Sequence, residues 1–171
     1  MQKSIKELRA EWSTLMRYRT AIRHLFKGIP VSVTIGGSYA LRYHAAEFAN
    51  RESHDYDFIV RGEAEAIDEC RQVLVNLKTL RLIEHPSDVQ ASDSGSWVLG
   101  EYDGHPIDVI LTVGTPCPCY IMEELSDIAK AKLCYKAKYR RLHKEYRQKD
   151  IEDLEILRGI LGDNHPDIHW W

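Results

Sequence analysis

Three aspartates and a pair of glycines hold most of the chemistry in this chain. The run Asp55-Tyr56-Asp57-Phe58-Ile59-Val60 is rich in aromatic and β-branched residues and predicts a strand. Alternate strand residues face opposite ways, so Asp55 and Asp57 share one face and Tyr56, Phe58 and Val60 the other. Like charges that close repel, and a divalent cation between them relieves the repulsion. An all-oxygen donor set suits Mg²⁺. For an isolated Asp-x-Asp, a solvated strand end is the plainer reading. A third acid shifts the balance. Asp108 interrupts Pro106-Ile107-Asp108-Val109-Ile110-Leu111, an apolar run that predicts a central strand. A carboxylate buried there needs a partner or takes up a proton. A cation shared with Asp55 and Asp57 is one solution; an edge position or a neighbouring Lys or Arg is the other.

Gly36-Gly37-Ser38 stands where a short strand hands over to a helix. Glycine lets backbone N–H groups approach a phosphate, and a helix N-terminus favours negative charge. The Ser38 hydroxyl can donate to the same phosphate. A tight strand-to-helix turn also wants glycine. With the carboxylates one helix further on, however, a phosphate cradle and a metal cradle fall on one edge of a sheet.

The elements that must position these residues follow from periodicity. Residues 3–27 read as an amphipathic helix with Ile5, Leu8, Trp12, Leu15, Ile22 and Phe26 on one side, stopped by Gly28 and Pro30. Val31 to Ile35 is a strand and Ser38 to Ala49 a helix. Asp55 to Val60 is the next strand and Glu63 to Leu80 the next helix. Residues 84–95 are turn-rich. Strands follow at Ser96 to Glu101 and Ile107 to Val113, joined by Asp103-Gly104. Helices close the chain at about Met122 to Tyr146 and Asp150 to Leu161. The pattern predicts an α/β (α+β) fold, a mixed sheet flanked by helices. We expect a core over 1–120 and a C-terminal helical segment, 121–171, packed on it.

The 171 residues carry a formal net charge of −3, with 44% hydrophobic and 29% charged residues. This composition excludes a disordered, collagen-like or disulfide-scaffold chain. No apolar run approaches the ~20 residues of a membrane span. Met1 to Arg9 lacks the apolar stretch of a signal peptide, so a cytoplasmic location is expected. The charge is unevenly spread: Lys130 to Lys149 holds nine Lys or Arg against one acid, Glu145. Lys132, Lys136, Arg140 and Lys144 recur at i, i+4, i+8 and i+12 and predict a cationic ridge. It is either a phosphate or nucleic-acid surface or a solvated face balanced by acids such as Glu123, Glu124, Glu152 and Glu155. Tyr135, Tyr139, Leu142 and Tyr146 form a second stripe, read as core. Of the four cysteines, only Cys117-Pro118-Cys119 is spaced for shared metal ligation. No second pair stands at zinc-finger spacing, so reduced thiols are expected.

Taken together, Thr34-Ile35-Gly36-Gly37-Ser38, Asp55-Tyr56-Asp57 and Asp108 resemble the motifs of the nucleotidyltransferase superfamily related to DNA polymerase β. The stretch from Gly36-Gly37 through Arg51-Glu52-Ser53-His54-Asp55-Tyr56-Asp57 is most similar to the small AbiE-type (abortive-infection toxin) nucleotidyltransferases. Lys132 and Lys149-Asp150-Ile151-Glu152-Asp153-Leu154 look like that group's later motifs. The resemblance covers about residues 31–157, and the chain is shorter than a typical AbiE-type toxin.

It implies a nucleotidyltransferase-like fold and transfer of a nucleoside monophosphate from an NTP to an acceptor hydroxyl, with Mg²⁺ or Mn²⁺ as cofactor. RNA or tRNA, a protein or a small molecule would be the acceptor. Asp55, Asp57 and Asp108 would be catalytic and hold the metal. Gly36, Gly37, Ser38, Arg51 and Lys132 would bind the nucleotide phosphates. The alternative is a non-catalytic nucleotide- or RNA-binding module, or a toxin–antitoxin-type subunit with a partner protein, that retains the fold.

Overall fold

The computed structural model describes residues 4–44, 56–76, 83–84, 96–102, 104–144 and 147–162. In chain order the elements are α1 (Ile5–Leu25), β1 (Ser32–Ile35), α2 (Gly37–His44), β2 (Tyr56–Gly62), α3 (Ala64–Asn76), β3 (Ile83–Glu84), β4 (Ser96–Tyr102), β5 (His105–Val113), α4 (Leu125–His143) and α5 (Gln148–Leu161). The strands form one five-stranded sheet in the order β1-β2-β5-β4-β3. β2 and β5 run parallel, and the other neighbours are antiparallel. The expected mixed sheet flanked by helices is therefore what the chain forms. No helix among the described residues is long and apolar enough to cross a membrane.

Alternation on the middle strands sets the layers. Tyr56, Phe58 and Val60 of β2 and Ile107, Val109 and Leu111 of β5 are buried on one face. They share a core with Leu15 and Ile22 of α1, Phe26 just after it, and Ile67, Cys70 and Leu74 of α3. The opposite face carries Asp57, Ile59 and Arg61, in register with Asp108, Ile110 and Thr112. β1 is buried on both sides because its sequence splits: Val33 and Ile35 pair in register with Val60 and Phe58, and Ser32 and Thr34 with Arg61 and Ile59. Asp108 thus sits on the central strand, as its apolar neighbours predicted.

Several boundaries move for identifiable reasons. Ser4 caps α1 in a capping box with Glu7, so the helix starts at Ile5. Its stripe turns inward only from Trp12. Ile5 and Leu8 are exposed, while Glu11 and Arg19 are buried. The Tyr56 hydroxyl donates to Glu11 Oε1 (3.3 Å), and Arg19 Nε donates to the Val33 carbonyl (2.7 Å). Periodicity weighs apolar residues and cannot see polar ones that find such partners.

Met122 to Glu124 are not helical. Ile35 N–H donates to Ile121 O (2.8 Å) and Glu123 N–H donates to Ile35 O (2.9 Å), which lays residues 121–123 along the free side of β1. β3, only two residues long, was not expected.

Candidate active site

The turn from β1 into α2 fits only glycine. A Cβ on Gly36 would lie 2.7 Å from Ile59 Cγ1. Gly37 has φ +61°, and a Cβ there would run into the Asp57 carboxylate, 2.6 Å from its Cγ. Gly36 N–H donates to the Asp57 carbonyl (2.9 Å), so the turn is tied by main chain to the strand that carries the acid. α2 begins at Gly37, and its first N–H groups have no partner within the helix. Ser38 follows, and its Oγ accepts a hydrogen bond from Lys132 Nζ on α4 (2.8 Å).

Asp57 and Asp108 are register partners across the parallel β2–β5 pair. Their Cα atoms are therefore one strand spacing apart, about 4.8 Å, with both side chains on the same face. Asp57 is half-buried and Asp108 is 2% exposed. The structure thus brings together five of the expected residues: Gly36, Gly37, Ser38 and Asp57 around the turn, with Lys132 against Ser38. Asp108 adjoins them through Asp57. Asp55, Arg51 and His54 lie outside the described residues. Among the described residues no group of three or more His, Cys, Asp or Glu side chains could hold a metal. Two hard carboxylates side by side, beside a glycine cradle with no room for a side chain, suit the chemistry of Mg²⁺.

The cationic ridge does not survive as a ridge. Lys136 is buried and bonded to Asp153 of α5 (2.8 Å). Lys144 lies past the end of α4 with φ 51°. Of the expected balancing acids, Glu123 is not on a solvated face but buried against Arg61. The side chains of Tyr135, Tyr139, Leu142 and Tyr146, and of Lys149 and Asp150, lie outside the described residues. Cys70, Cys117 and Cys119 are free thiols, with Cys119 exposed.

The sequence reading missed a polar network behind the turn. Arg61 Nη1 lies 2.7 Å from Glu123 Oε1 and 3.0 Å from Oε2, and Thr34 Oγ1 donates to Oε1 (2.9 Å). Burial pulls the Arg61 pKa down, but the hydrogen bond and charge of Glu123 outweigh it and the net shift is upward. The signal was present: with β2 extended beyond Val60, alternation places Arg61 on the Asp57 face.

No protein-family model matches the chain, and a search of curated proteins finds no relative. Among solved structures the chain is similar to a Thermotoga maritima protein provisionally named a nucleotidyltransferase. The two share 16% identity with a TM-score of 0.39, over 91% of this chain and 96% of that one.

Proposed function

We propose that the protein is a metal-dependent nucleotidyltransferase that moves a nucleoside monophosphate from an NTP to an acceptor hydroxyl and releases pyrophosphate. The observation that carries this reading is the Asp57–Asp108 register pair, facing one way beside the Gly36-Gly37-Ser38 turn. Asp57 and Asp108, with Asp55, would hold Mg²⁺ or Mn²⁺. The ion when bound would neutralise triphosphate charge and polarise the phosphorus under attack.

The chain's own residues do the rest in this reading. The N–H groups at the start of α2 and the Ser38 hydroxyl bind the β- and γ-phosphates. Lys132 Nζ, already within hydrogen-bond reach of Ser38, adds a positive charge to the same end of the triphosphate. Arg51 is proposed as a further phosphate contact. The acceptor oxygen bonds to the α-phosphorus as the bridge to the β-phosphate breaks. The hydroxyl's proton passes to a carboxylate of the pair. The finer likeness to AbiE-type toxins, and with it a partner protein and an RNA, tRNA or protein acceptor, belongs to this proposal as well.

The test is label transfer from each of the four NTPs with Mg²⁺ to tRNA, protein and small hydroxyl acceptors. We expect transfer from at least one, lowered about 100-fold or more by Asp57→Ala in a protein that remains folded. No transfer to any acceptor, or equal activity in Asp57→Ala, would overturn the reading. ATP binding indifferent to metal, together with RNA binding that falls steeply with salt, would replace it with a non-catalytic module.

A further inference from the structure

Glu123 is 6% exposed and bonded to three different elements. Its carboxylate takes Thr34 Oγ1 from β1 and Arg61 from β2. Its N–H donates to the Ile35 carbonyl (2.9 Å), and its own carbonyl lies 3.0 Å from His44 Nε2 at the end of α2. Its Cγ stands 3.6 Å from where a Cβ on Gly36 would be, directly behind the turn. The next residue, Glu124, is the N-cap of α4, and Lys132 follows about two turns along that helix.

We propose that Glu123, locked by Arg61 and Thr34, is the positioning residue that fixes the Gly36-Gly37-Ser38 turn and the start of α4 in one arrangement, so that Lys132 meets Ser38. The proposal rests on the nucleotide reading only for its consequence, phosphate affinity. The physical reason lies in direction. A buried ion pair can be exchanged for apolar groups of similar volume with little loss of stability. Apolar contact does not fix orientation, whereas these hydrogen bonds converge on one carboxylate from two strands. One residue thereby sets the relation of β1 and β2 through its carboxylate, of α2 through its carbonyl, and of α4 through the chain that follows it.

The experiment compares the full wild-type chain with Glu123→Gln and with the double variant Glu123→Leu/Arg61→Met. Three quantities are read: thermal midpoint, amide exchange at Gly36 to Ser38 without nucleotide, and Kd for ATP with Mg²⁺. In the double variant we expect a midpoint near wild type, with exchange and Kd each raised about tenfold. Glu123→Gln keeps one acceptor oxygen and should change both less. A double variant with wild-type exchange and affinity would reduce the pair to packing and overturn the proposal. If the double variant does not fold, unchanged Gly36 exchange in Glu123→Gln overturns it equally. Faster exchange in a protein whose wild type binds no ATP would sink the nucleotide reading and leave the positioning role standing.

Discussion

Gly37 shows how little room the site leaves at the residue scale. A non-glycine residue at φ +61° costs about 1–2 kcal/mol in backbone strain alone. An alanine methyl there must also displace the Asp57 carboxylate. Gly37→Ala is therefore expected to lower stability by at least that amount and to abolish label transfer, even where chemical denaturation shows a folded protein. A Gly37→Ala variant with wild-type transfer would remove the turn from the site. Gly37, Asp57 and Asp108 were legible in the sequence because strand alternation and glycine chemistry act over a few residues. The Lys132–Ser38 bond was legible only in outline, through a resemblance. Glu123 was not, because its partners Thr34 and Arg61 lie 89 and 62 residues away in sequence. Nothing local marks a glutamate before a helix as buried.

At the scale of elements, α4 and α5 are joined through Lys136 and Asp153, whose side chains are 7% and 9% exposed. Leu133 and Leu157 form a small apolar cluster beside them. Removing one partner takes the opposite charge away from the other in a dry contact. Asp153→Ala should therefore cost about 3–5 kcal/mol in urea denaturation, and Lys136→Met/Asp153→Leu much less. Equal losses in the two would show that the pair is stabilising in itself rather than merely costly to break. β1, β2 and β5 were readable from their β-branched and apolar runs, and α1 from its 3.6-residue stripe. The start of α4 was misread because helical propensity at Met122 to Glu124 yields to pairing with β1. A two-residue β3 is too short to leave any period.

Taken as a whole, the molecule's charge is better described by where it is committed than by its sum of −3. Lys136, Arg61 and Arg19 are spent inside the fold, whereas Lys132 reaches the Ser38 hydroxyl at the turn. The same burial makes the fold sensitive to base. Tyr39 on α2 is pushed up from 10.0 to about 12, first by burial and then by the charge of Glu11. Burial, helped by Glu69, pushes Cys70 up from 9.0 to about 11. Both are acids that hold their protons longer when folded. Below pH 9 both are protonated in either state and stability does not depend on them. Above pH 9 for Cys70, and above pH 10 for Tyr39, the unfolded chain releases a proton that the folded chain keeps, so the slope of stability against pH is negative. The decline should continue to about pH 11 and 12 respectively, where the folded groups ionise as well. Tyr39→Phe has no proton to lose. Its urea midpoint, followed from pH 8 to 12, should therefore fall less than wild type between pH 10 and 12 and run parallel to it below. Identical curves through that window would mean that Tyr39 is no harder to ionise in the folded chain than in the unfolded one.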